Sequence, residues 1–227
     1  MNKDQPRQLT KSLETKITGD WASELPGMAV YQPRWLMRRV GPLLVGVCLD
    51  RDSGGEKYKP CFHVHFLGKN WPYSEPTLTM NTQLLAKSGG PDYVEVRWHD
   101  EKYRDAAHRL QQQAPLPLNG AITIEEVLKA YGDYAGTPLG QRQSIILRAD
   151  CIQLLAWCGQ VKAAQQLLDE TLATTCDQQA LSAFGGLTAF ETSMKDAIEH
   201  PGAIKESVNS QIHAFCVENL PSSELTC

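Results

Sequence analysis

The sequence predicts an α+β protein in two parts. An antiparallel β-sheet with a flanking helix comes first, followed by an antiparallel helical bundle of the helical-hairpin type. Three observations carry that prediction. Residues 43–49 and 62–66 alternate with the period of a strand, whereas beyond residue 120 apolar residues recur at i, i+3, i+4 and i+7. Between the two patterns lies Ala114-Pro115-Leu116-Pro117-Leu118-Asn119-Gly120, whose prolines and glycine break regular structure. Charge changes sign at the same place: residues 1–114 hold 16 Lys/Arg against 13 Asp/Glu, and residues 115–227 hold 6 against 13. The expected domains are 1–114 and 115–227.

Within the first part, Leu9, Leu13 and Ile17 recur every four residues and predict a short amphipathic helix stopped by Gly19. Pro26 and Pro33 bracket an extended stretch, and strands begin at Trp35, a core residue flanked by solvated Arg34, Arg38 and Arg39. Residues 43–50 and 58–67 form a hairpin around Asp52-Ser53-Gly54-Gly55. Leu43, Val45, Val47, Leu49, Phe62, Val64 and Phe66 share its buried face. On its second, partly covered face, Cys48 lies opposite Cys61, Gly46 opposite His63 and Leu44 opposite His65. Residues 70–91 are irregular, apart from a short strand at 77–80; residues 93–98 make a further strand, and 99–113 a helix.

The second part is helical throughout. Thr123 with Glu126 fits a capping box ahead of the stripe Ile124, Val127, Leu128 and Tyr131. A helix over 140–157 follows, broken by Gly159, then one carrying Val161, Ala164, Leu167, Leu168 and Leu172. Gly185-Gly186 precedes a fourth helix, Pro201 opens a fifth, and Pro221 ends the order. Short connections force neighbours antiparallel. The run Leu154-Leu155-Ala156-Trp157-Cys158-Gly159, with Ala163-Ala164 and Leu167-Leu168, resembles one tetratricopeptide-type helical hairpin, without that family's aromatic positions or its repetition.

No apolar run approaches the length of a membrane span, and the start lacks the apolar core of a secretory signal, so cytoplasm is the expected location. Seven scattered cysteines without a CxxC pair read as mostly free thiols, with Cys151, Cys158 and Cys216 as small buried hydrophobes.

Two constellations are candidates for function. Cys61, His63 and His65 fall on one side of a strand, where His-x-His holds two imidazoles parallel, and His99 or Asp100 is a candidate further zinc ligand. Polar residues on a covered sheet face, without metal, are the expected outcome there, and no cofactor is expected. Asp92, Glu95 and Arg97 faintly resemble a restriction-type nuclease site with Asp50 as a distant carboxylate, but the spacing is wrong and Arg replaces the usual Lys. No nucleophile elbow, phosphate loop or dinucleotide fingerprint occurs, so no catalytic residue is assigned.

The net −7 over residues 115–227 is a poor surface for nucleic acid and a suitable one for a basic protein. The expected function is therefore non-enzymatic protein binding of an inhibitor, immunity or adaptor type through the acidic helical half. Contact residues are Glu125, Glu126, Asp133, Asp169 and Glu170, with Trp71 and Tyr73 as aromatic anchors in a Pro-flanked loop. The alternative is a metal-dependent, nuclease-like hydrolase centred on the sheet.

Overall fold

The computed structural model describes residues 8–69, 76, 79–174 and 181–227. In chain order it begins with α1 (Lys11–Glu24), β1 (Ala29–Gln32), β2 (Trp35–Val40), β3 (Leu43–Arg51), β4 (Lys57–Phe66) and β5 (Met80–Gln83). Next come β6 (Val94–Glu95), a 3-10 turn (Val96–Trp98), α2 (His99–Gln113), β7 (Ile122–Thr123), α3 (Ile124–Ala135), α4 (Pro138–Gln141), α5 (Ser144–Trp157) and α6 (Val161–Thr174). A second 3-10 turn (Ser182–Phe184), α7 (Leu187–Glu199), α8 (Pro201–Ala214), β8 (Ser222–Ser223) and β9 (Leu225–Thr226) complete it. The mixed α+β class is as the sequence predicts, with an antiparallel sheet early and helices late.

The chain divides into two compact units: Met1–Val64 with Asn81–Ala121 and Asn219–Glu224, and His65–Met80 with Ile122–Glu218 and Leu225–Cys227. The division expected at 114/115 differs from this one over residues 65–80, 115–121 and 219–224, and each difference has a physical reason. Arg38 is buried rather than solvated, and its guanidinium donates to the carbonyls of Pro117 and Gly120 at 3.0 and 2.7 Å. That holds the proline-rich segment against β2. β8 pairs parallel with β2 through Arg39 and Val40. Lys69 forms an ion pair with Asp150 of α5 at 2.5 Å.

The sheet of the first unit runs β1-β2-β3-β4-β5, with β6 on β4. The predicted hairpin ends match β3 and β4 to within one residue. Leu43, Val45, Val47, Leu49, Phe62, Val64 and Phe66 are all buried, and so are Cys48, Cys61, His63 and His65 of the second face. That face is closed, not partly covered. Gly46 makes the close approach possible: a Cβ there would stand 2.7 Å from His63 Nε2 and meet the Leu36 carbonyl. Trp35 is half-buried, packed on the His63 ring at 5.4 Å between centroids.

Helix α1 passes through Gly19 to Glu24 instead of stopping there. The fourfold spacing of Leu13 and Ile17 continues to Trp21, which is fully buried, and that burial outweighs a single exposed-helix glycine of about 1 kcal/mol. The strand expected over 93–98 is only Val94–Glu95, since from Val96 the chain coils into α2.

In the second unit, Thr123 and Glu126 form the predicted capping box. The single helix expected over 140–157 is two, α4 and α5, because Gly140 lies so close to the backbone of Tyr134 that the chain must turn before α5 starts. Helix α5 is the hub, touching α3, α4, α6, α7 and α8. Order continues past Pro221: β9 pairs parallel with β7, burying Leu225 and Ile122. Cys158 is no free thiol but is disulfide-bonded to Cys227, and Cys216 is exposed; Cys151 is buried as expected. No helix among the described residues is long and apolar enough to cross a membrane.

Candidate functional site

Adjacent apolar pairs line a concavity of the helical unit. On α3, Val127 is buried while Leu128 is half-exposed; on α6, Ala164 and Leu168 are buried while Ala163 and Leu167 are not. One member of each pair packs inward, and the other faces a shared trough with α5 as its floor. Its lining includes Leu128, Tyr131, Gly132 and Ala135 of α3, Leu147, Cys151 and Leu155 of α5, and Ala163 and Leu167 of α6. The volume is about 590 Å³. Glu125, Arg148, Gln160, Gln166 and Glu170 supply its polar positions.

Two of the five acids expected to meet a partner, Glu125 on α3 and Glu170 on α6, therefore line one trough. The side chain of Glu125 has no ion pair or hydrogen bond within the described residues. Glu170 accepts from Gln166 at 2.9 Å. The other three are otherwise engaged. Glu126 accepts from the Thr123 backbone N–H in the capping box, Asp133 pairs with Lys129, and Asp169 accepts from Gln165. Arg148 donates to Thr171 at 3.4 Å. Trp71 and Tyr73 lie outside the described residues.

On α5 Asp150 is fully buried, and burial raises its carboxyl pKa to about 6 against the opposing pull of Lys69. Burial, with the Asp150 charge adding to it, also pushes the Tyr131 phenol well above its usual range. Burial raises the Cys151 thiol to about 12, which disfavours its thiolate.

No family model, curated protein or solved structure matches this chain. Its chemistry must be read from its own residues.

The candidate zinc ligands occupy separate surroundings. Cys61 Sγ lies 3.6 Å from the Lys59 carbonyl, His63 packs on Trp35, and His99 belongs to a different cluster, while His65 falls in the second unit and packs there on Phe215. Burial raises both Cys48 and Cys61 to about 12. The carboxylates of the nuclease-like pattern are tied to cations: Asp50 to Lys59, Asp92 to Arg109, and Glu95 to Arg97.

The cluster around His99 was not legible from spacing. Trp21 Nε1 donates to the Tyr58 hydroxyl at 3.0 Å, Tyr58 contacts His99 Nδ1 at 2.8 Å, and His99 Nε2 contacts Asp20 at 2.9 Å. A carboxylate only accepts, so Nε2 carries the proton and Tyr58 donates to Nδ1. Burial lowers the pKa of His99 from its ordinary 6.5, with Asp20 opposing. Asp20, His99 and Asp100 come within 4.8 Å of one another, the metal-like spacing found among the described residues. Lys16 fills that charge requirement instead, at 2.6 Å from both Asp20 and Asp100. This is a structural relay linking α1, β4 and α2.

Proposed function

We propose that this chain is a non-enzymatic protein-binding protein, of inhibitor or adaptor type, that engages a basic partner through its helical unit. The observation supporting this most directly is that Glu125 and Glu170, contributed by two helices, border the same apolar trough. Apolar floor and charged rim is the anatomy of a protein contact, and opposite charge raises association rate more than it strengthens the complex. The sheet alternative would need carboxylates that are already committed to Lys59, Arg109 and Arg97.

The test is affinity capture from the native cell with the wild-type chain and with Glu125→Gln/Glu170→Gln. A basic protein retained by the wild type, and bound more slowly by the variant with an effect that fades in high salt, supports the reading. Recovery of the chain alone, together with metal-dependent hydrolysis of nucleic acid by the purified protein, would overturn it. Counting free thiols on protein taken from that cell also fixes its compartment. The Cys158–Cys227 bond is kept in an oxidising environment and opened in a reducing cytoplasm.

A further inference from the structure

Resting on the protein-binding reading, the trough also carries information about what kind of segment fills it. Its α3 wall extends from Glu125 through Leu128 and Gly132 to Ala135. Eleven residues of helix make it on the order of 15 Å long, about three turns of a partner helix. Both walls and the floor are α-helices, whose backbone groups are paired internally. They therefore offer none of the main-chain hydrogen bonds by which an extended strand is recognised.

A small ligand fits poorly as well. Such sites need a few converging free polar groups, whereas Arg148 is directed to Thr171, Gln166 to Glu170, and the Tyr131 hydroxyl is inaccessible to solvent, which leaves Glu125 as the uncommitted charge. A second copy of the chain would bring an equally acidic helical half, net −7 over residues 115–227, against the acidic rim.

We propose that the trough receives an amphipathic helical segment of another protein, whose apolar stripe enters between α3 and α6 and whose adjacent Lys or Arg residues meet Glu125 and Glu170. The recognised pattern is apolar residues at i, i+3 or i+4, and i+7, with basic residues beside them. Glu125 dominates the charge selection because its side chain has no competing partner, while Glu170 must share its carboxylate with Gln166.

The test uses a displayed random peptide library selected on the full chain. Enriched peptides should carry that pattern. Their affinity should fall roughly tenfold or more with Leu167→Asp, which puts a charge in the apolar wall, and with Ala163→Trp, which fills it. Glu125→Gln should weaken them severalfold at low salt and little at high salt. Leu167 is half-exposed and Ala163 exposed, and a thermal melt checks each variant; if Leu167→Asp unfolds, Ala163→Trp decides. Acidic or charge-indifferent peptides that still depend on Ala163 and Leu167 would overturn the basic-helix occupant and leave protein binding intact. Peptides that ignore both trough variants would overturn the trough alone. Absence of any enrichment would overturn both the occupant and the protein-binding reading.

Discussion

Each unit buries one prominent polar cluster, and the two clusters are built differently. In the sheet unit, Trp21, Tyr58, His99, Asp20 and Lys16 form one continuous relay in which each donor meets an acceptor. In the helical unit, the fully buried Asp150 relies on Lys69, and the second Asp150 oxygen and the Tyr131 hydroxyl have no hydrogen-bond partner among the described residues. A satisfied relay specifies one packing and rigidifies the elements it joins. The Asp150 cluster lies instead in a unit whose chain is tied by the Cys158–Cys227 bond.

The largest expected asymmetry follows from that disulfide. It closes a loop across a sequence separation of 69 residues, for which chain entropy gives about 4 kcal/mol. Cys227→Ser should destabilise α5 and the β7–β9 pair by that order and leave α1 and β3 nearly unchanged. Hydrogen exchange resolved by segment measures both, and equal losses in the two units would abolish the contrast.

Acidification should separate the units by up to about 3 kcal/mol. Asp150 is raised from 3.8 to about 6, so between those values the folded helical unit holds a proton that the unfolded chain lacks. Its contribution to stability grows as pH falls through that window. His99 is lowered from 6.5, so the unfolded chain takes up its proton first, and the sheet unit loses stability as pH falls below that value. Asp20 and Asp100, both lowered, add to the acid sensitivity at lower pH, though their exposure makes that share small. Exchange of α1 should speed up below the ordinary His pKa while that of α5 slows, and Asp150→Asn should remove the α5 trend. Parallel trends in both units would break the comparison.

Inside the relay, Tyr58→Phe strands the Trp21 donor and His99 Nδ1 and should cost about 2 kcal/mol in the sheet unit alone. The smallest effects sharpen the roles of the acids. Glu126→Ala should cost about 1 kcal/mol by dismantling the capping box. Glu125→Gln should cost under about 0.5 kcal/mol and act on partner association instead. Chemical denaturation distinguishes the two, although the residues are neighbours in sequence.

Much of this fold was legible because burial and period coincide. β3, β4 and the α3 capping box stand where alternation and the Thr123/Glu126 spacing put them. What was misread depended on partners distant in sequence. Gly19 lies inside a helix because Trp21 finds Tyr58, Arg38 is buried because Pro117 and Gly120 offer carbonyls, and Pro221 does not end the order because β8 finds β2. The disulfide was invisible for the same reason, since spacing alone cannot pair Cys158 with Cys227. In the trough, the acids of α3 and α6 were found by charge. The doubled apolar pairs Val127-Leu128, Ala163-Ala164 and Leu167-Leu168 were the unused signal, since one packing face needs only one of each.

The most direct test of the helical unit as a partner-binding surface is photo-cross-linking in the native cell. A photoreactive residue replaces Ala163 inside the trough, with Lys11 on the exposed start of α1 as the control position. The proposed function requires one basic protein cross-linked from Ala163, through a segment with apolar residues at helical spacing, and lost when Leu167→Asp is added. Cross-links no stronger from Ala163 than from Lys11, or a partner retained in full by the Leu167→Asp variant, would contradict it.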